Sequence, residues 1–246
     1  MTRVPRLRVP RPGTPLPRLP LLGASAGMAG GLLLVGAAGY TFLAVTGHAS
    51  TPTDAAALSS LYFLIGLVTL GVFVGLEQET SRATSRAIAA HRSLDAVART
   101  ARRHTLWLLG ASGVVLTIAS PLIVDGPLRG HWSLFAALLV ATGSAASAYL
   151  VRGRLGGRQQ FAGYAATLAT EGLARLVPSV LIFLTLGSAA WAYGLVFAAA
   201  PMFAALVGMR SLRMRIPEHV VAPGKAVAPG DDLAPGEFRT AAFGHH

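Results

Sequence analysis

FAGYAATLATEGLARLVPSVLIFLTL, Phe161–Leu186, is the stretch on which the reading of this chain turns. It is predominantly apolar, and its only charged side chains are one carboxylate, Glu171, and one guanidinium, Arg175. A helix rises about 1.5 Å per residue, so about 20 residues cross a hydrocarbon core of about 30 Å. Inside lipid every backbone N–H and C=O needs an internal partner, so an apolar run of this length enters as a helix. Five other stretches match it: Leu21–Val45, Ala55–Leu76, Leu106–Val124, Trp132–Val151 and Ser188–Met209. The short alternating segments of a strand barrel do not occur. Composition agrees, with 53% hydrophobic and 13% charged residues, where a soluble chain usually carries about 25% charged. The expected fold class is all-α, an integral membrane bundle of six helices.

The arginines fix the orientation. Arg3, Arg6, Arg8, Arg11 and Arg18 precede the first stretch; Arg82, Arg86, Arg92, Arg99, Arg102 and Arg103 fill the second connection; Arg152, Arg154 and Arg158 fill the fourth. Arg210, Arg213, Arg215, Lys225 and Arg239 follow the last. Only Arg129, in an alternate connection, and Arg175, within the fifth stretch, depart from this pattern among the 21 basic residues. Basic loops stay cytoplasmic, so both termini are expected inside, in a bacterial plasma (inner) membrane. The net charge of +11 then faces anionic lipid headgroups and is not read as nucleic-acid binding. The first stretch is too long for a cleavable signal sequence, whose apolar core spans about 7–15 residues. It is read as an uncleaved anchor.

Residues 1–20, rich in Pro and Arg, and residues 216–246, rich in Pro-Gly turns, are expected to be disordered tails. The closing His245-His246 pair is too small for a metal site. Between them lies a transmembrane domain, 21–215. Residues 78–103 lack Pro and Gly and favour a cytoplasmic amphipathic helix, continuing helix two and leading into helix three. The connections His48–Asp54, Asp125–His131 and Gly187 are short, which makes successive helices antiparallel neighbours. Gly23, Gly27 and Gly31 on helix one, Gly71 and Gly75 on helix two, and Gly143 with Ser144 and Ser147 on helix four are small residues of the kind that let helices approach in lipid. Packing within the chain is favoured over a dimerisation face.

Candidate chemistry centres on helix five. Glu171 lies about 15 Å into the helix, and an ionisable residue near mid-depth usually faces protein or a water-filled cavity. Arg175 is four residues on, the spacing at which Glu and Arg pair on one helix face. Two readings stand: a self-neutralised packing pair, or a polar site lining a transport cavity. Pro178 removes a backbone hydrogen bond and is a candidate hinge. Glu77, Glu79 and Arg82 lie where helix two leaves the membrane, as a solvated helix end or a gate. Arg152, Arg154 and Arg158 form a basic loop with glycines, either a phosphate clamp or ordinary anchors. The chain has no cysteine, no His-Glu-x-x-His, nucleophile-elbow or P-loop pattern, and its histidines avoid the helix interiors. No metal, cofactor or catalytic residue is expected, and the chain is not read as an enzyme.

GVFVGLEQETSRATSRAIAAHR (Gly71–Arg92) and RGRLGGRQQFAGYAATLATEGLARL (Arg152–Leu176) resemble polysaccharide-biosynthesis flippases of the multidrug/oligosaccharidyl-lipid/polysaccharide exporter superfamily. The resemblance spans about Leu21–Arg215 and implies a membrane carrier that moves lipid-linked saccharide from the cytoplasmic to the outer leaflet by alternating access. It implies that Glu77, Glu79 and Arg82 sit at the cytoplasmic mouth, that Glu171 and Arg175 line or brace the cavity, and that Arg152 and Arg158 approach an anionic lipid head. Family members have two pseudo-symmetric lobes, at least twice this helix count. The resemblance therefore implies a first lobe needing a second lobe or a homodimer. The alternatives are a truncated or accessory structural protein without transport of its own, and a small-molecule or lipid exporter.

Overall fold

A computed structural model describes residues 20–213. The two tails expected to be disordered, and the terminal histidines, lie outside the described residues, apart from Pro20 at one end. All regular structure among the described residues is helical. Helix α1 is Pro20–Ala49. Helix α2, Pro52–Val68, passes through a π-helical turn, Thr69–Phe73, into α3, Val74–Ala89. Then follow α4, Leu94–Ile118, and the single-turn helix α5, Ser120–Asp125. Helices α6, Trp132–Gly157, α7, Phe161–Thr185, and α8, Ala190–Arg213, complete the bundle.

Five of these segments are long and apolar enough to cross a membrane: Ala26–Ala49, Pro52–Ala89, Trp132–Gly157, Phe161–Thr185 and Ala190–Arg213. That is the pattern of a multi-pass membrane protein, with one span fewer than expected. Leu106–Val124 does not form one such helix. Its residues are divided between α4 and α5 by a break at Ala119, because Pro121 cannot donate to the preceding turn and disfavours helical backbone at Ser120. The unbroken part belongs to a helix that begins at Leu94 and carries Arg99, Arg102 and Arg103, which dilutes its apolar character. Residues 78–103 likewise form no single helix. They divide between α3 and α4 at a tight turn, with His91 in the left-handed region (φ 50°). Arg92 N–H donates to Ala87 O and His91 N–H to Ile88 O, the paired bonds that close a helix C-terminus. Gln159 (φ 56°) ends α6 the same way.

Helices α6 and α8 are the most enclosed of the five spans (61% and 56% buried, against 22–28% for the others) and pack on each other. Helix α7 lies along α1 and α8, while α3 and α4 cover another side of α6. Lipid gives helices no hydrophobic reason to associate, so close approach of small residues does that work. Ala137, Ala141, Ala145 and Ala148 recur along the buried side of α6, and Ala198, Ala204 and Ala205 along that of α8. A Cβ at Gly153 would stand 2.7 Å from Glu77 O and 2.8 Å from Thr80 Cβ, so α6 meets α3 backbone to backbone. Gly31 meets Leu168 of α7 as closely, at 2.8 Å. Gly71, Gly75 and Gly143 have no such neighbour within 4 Å; of the expected small-residue ladders, Gly27 and Gly31 of α1 meet α7, and Gly71 and Gly75 meet nothing. Toward the other end Phe42, Tyr62 and Phe197 cluster, with Phe42 and Phe197 centroids 4.5 Å apart. There, His131 Nε2 lies 3.1 Å from Asp54 Oδ1.

Gly153→Val should overpack the α3–α6 contact and lower stability by about 1–3 kcal/mol. Gly143→Ala, in open surroundings, should be neutral or raise it by up to about 1 kcal/mol through helix propensity. Thermal unfolding in detergent distinguishes the two.

Candidate functional site

Tyr164, Thr167, Glu171, Arg175 and Ser179 recur at steps of three or four residues, which places them on one face of α7. That face turns inward. Thr167, Glu171 and Ser179 are 1%, 6% and 0% exposed. Helix α6 runs antiparallel to α7 across a turn at residues 158–160. Arg152 and Thr167 are within one residue of equally far from that turn, so they stand at nearly the same height. Arg152 Nε donates to Thr167 Oγ1 at 3.0 Å, and its Nη2 donates to Glu171 Oε2. Arg175 Nη2 donates to Glu171 Oε1. One carboxylate is thus shared by two guanidiniums, with Arg152 itself 5% exposed.

Aromatic rings extend the cluster to neighbouring helices. The Arg175 guanidinium lies over the Phe197 ring of α8, 4.3 Å from its centroid, and that of Arg152 lies 5.8 Å from the Tyr149 centroid. Such cation–π contacts add about 0.5–2 kcal/mol each. Tyr164 OH donates to Glu77 Oε1 of α3 at 2.6 Å, and Thr167 Oγ1 donates to Tyr164 O at 2.7 Å. Four helices, α3, α6, α7 and α8, therefore meet at one polar seam. The buried threonines elsewhere differ: Thr46, Thr84, Thr105 and Thr142 each donate to the carbonyl four residues back in their own helix and join nothing. Beside the cluster, Arg175 Nε and Ser179 Oγ are buried with no hydrogen-bond partner among the described residues.

The sequence-selected residues divide. Glu171, Arg175, Arg152 and Glu77 come together. Arg152, which the resemblance places at a lipid head, is turned inward because Glu171 and Thr167 hold it. Arg158 stands apart and donates Nη1 to Leu212 O at 3.2 Å, tying the end of α6 to α8. Glu79 and Arg82 are exposed on α3 and make no ion pair among the described residues. Glu79 instead faces a cavity of about 920 Å³ between α3 and α4. Pro178 lies within α7, which continues through it from Phe161 to Thr185. A second interior proline, Pro201 in α8, is buried; it is not among the sequence-selected residues, nor are Thr167 and Phe197, and Tyr164 enters there only within the Arg152–Leu176 stretch that carries the resemblance. The step of three and four along α7 and the similar distances from the α6–α7 turn are the available signals. Among the described residues no group of three His, Asp or Glu side chains is placed to hold a metal.

No protein-family model, curated protein or solved structure matches the chain.

Removing one partner from a buried ion pair leaves an uncompensated charge and costs about 3–5 kcal/mol, whereas an apolar replacement of the whole group is often neutral or better. Glu171→Gln should therefore destabilise the bundle by that amount. The triple variant R152M/E171L/R175M should recover most of the loss, read as unfolding midpoints in detergent.

Proposed function

We propose that the chain is a six-crossing lobe of a membrane exporter that moves an anionic amphipathic substrate, of the lipid-linked saccharide class, from the inner to the outer leaflet. The observation that carries this reading is the Arg152–Glu171–Arg175 cluster inside a bundle of apolar helices. Charged side chains in such surroundings are costly and mark substrate or ion pathways by default. The arginine-rich end faces the cytoplasm, with both termini on that side. Helices α4 and α5 together supply the sixth crossing, and their exposed Val114, Val115, Ile118 and Leu122 face lipid or a second lobe.

In this reading the substrate's anionic group competes with Glu171 for the two guanidiniums. Arg175 Nε and the Ser179 hydroxyl, both without partners among the described residues, offer further donors one turn along α7. Exchange of partners would loosen the seam between α6, α7 and α8. Pro178 and Pro201, each lacking a backbone donor, provide places where α7 and α8 bend. A facing wall comes from a second lobe or a second copy of this chain, since many transporters bind substrate between repeats. No chemical transformation is required of the chain.

One observation favours a second reading. Both oxygens of Glu171 are already occupied, so the cluster also serves as a clip in an accessory membrane protein without transport of its own. Reconstitution in liposomes separates the two. With a fluorescent lipid-linked saccharide, Glu171→Gln and Arg175→Ala should each reduce flux on the order of tenfold, about 1.4 kcal/mol on the barrier. Flux unchanged in correctly folded variants removes the cluster from the mechanism. Native mass in mild detergent shows whether the active unit is one copy, two, or a pair with another lobe.

A further inference from the structure

We infer that the cavity between α3 and α4 is a binding site for an anionic phospholipid of the leaflet at the arginine-rich end. This inference rests on the membrane reading and not on transport. The cavity, of about 920 Å³, is lined along both arms of the α3–α4 hairpin. At its deep end stand Gly75, Leu76, Trp107 and Leu108. At the turn end stand Arg86 and Arg92. Ten residues of helix separate Leu76 from Arg86, about 15 Å, so the cavity passes from an apolar floor to a basic rim.

That gradient matches one kind of molecule. Pro52 opens the α2–α3 span, and a hydrocarbon core of about 30 Å ends about 20 residues on, short of Gly75 and Leu76. The floor of the cavity therefore lies at the boundary between acyl chains and headgroups, and its rim lies among the phosphates. Trp107 marks the same boundary on α4, where tryptophan is favoured. Gly75 leaves the floor open, since no atom stands within 4 Å of where its Cβ would be. A phospholipid placed here lays the upper part of an acyl chain along Leu76, Trp107 and Leu108 and sets its phosphate between Arg86 and Arg92.

The charge balance selects an anion. Arg82, Arg86, Arg92, Arg99, Arg102 and Arg103 are all exposed on the hairpin, and none makes an ion pair among the described residues. Against them on the hairpin stand Glu79, in the lining about two turns below Arg86, Asp95, in the first turn of α4, and Glu77, which lies outside the lining and accepts from Tyr164 of α7. His104 in the lining adds a further potential donor. Ser93, also in the lining, caps α4 by accepting from Asp95 N–H at 3.2 Å, and the helix dipole there adds partial positive charge.

Quenching of Trp107 by brominated lipid tests this directly. The full-length chain, with Trp132→Phe and Trp191→Phe, is reconstituted in phosphatidylcholine vesicles containing either brominated phosphatidylglycerol or brominated phosphatidylcholine. The expected result is preferential quenching by the phosphatidylglycerol. R86Q/R92Q should reduce that preference roughly thirtyfold. R99Q/R102Q, which alters charges outside the lining, should leave most of it. Equal quenching by the two lipids overturns the inference, as does equal loss in both double variants, which indicates diffuse attraction. Suppression of the preference by millimolar inorganic phosphate also overturns it in favour of a soluble phosphate. A preference that emerges only when residues 216–246 are deleted overturns it in favour of the acidic residues of that segment.

Discussion

Glu171 cannot stand alone where it is. An ionised carboxylate removed from water costs several kcal/mol unless its charge is met at close range, and here it is met twice. The two guanidiniums come from different sources: Arg175 is one turn along the same helix, and Arg152 belongs to α6. The first contact is local and forms with the helix. The second exists only when α6 and α7 are in register, so the carboxylate fixes the relative height of two helices that otherwise present lipid and each other with similar apolar surfaces. Tyr164 extends the same constraint to α3 through Glu77, and the Phe197 ring extends it to α8. Apolar contact is poorly directional in lipid, and this seam supplies direction.

Packing makes that seam possible. Charged groups meet only if backbones come close, and the glycines and alanines of α6 and α8 bring them close. Gly153 follows Arg152 directly and admits the α3 backbone at the level of Glu77. Gly208 of α8 stands against Thr167 Cγ2, where a Cβ would be 2.8 Å away. The same small residues leave little room for rearrangement around Arg152. A transport cycle of the proposed kind therefore works by sliding or bending whole helices rather than by opening a gap beside one side chain.

Much of this was legible in the residues alone. Length and apolarity identify the spans, and the i, i+4 spacing pairs Glu171 with Arg175. The third apolar stretch is divided between α4 and α5 because an apolar count ignores where backbone geometry interrupts a helix, and Pro121 interrupts it. Nothing in the composition of the 78–103 segment marks where α3 stops. His91 ends it in a left-handed conformation usually given to glycine or asparagine, so the stop carries no sequence signature. Arg152 was assigned to the membrane surface because it lies in a basic loop by position. Its inward turn depends on a carboxylate nineteen residues away in sequence, and only the height match across the α6–α7 turn hints at it. Glu79 and Arg82, chosen for spacing, remain apart because each already has solvent.

The π-helical turn at Thr69–Phe73 has a consequence for how this chain tolerates change. A regular helix advances about 100° per residue, and a π turn holds one residue more than an α turn. Everything C-terminal to it is thereby rotated by about one residue from where an unbroken α-helix would place it, which brings the inward face of α3 into line with that of α2. The inward positions of α2 are Ala57, Leu58, Leu61 and Ile65; those of α3 are Leu76, Thr80, Thr84 and Ala87. Angular phase between the two sets is stored in a single surplus residue. Forcing the intact sequence into a regular α-helix would swing Glu77 away from Tyr164, whereas deleting one residue at the π turn would regularise the helix and leave both inward sets on one face.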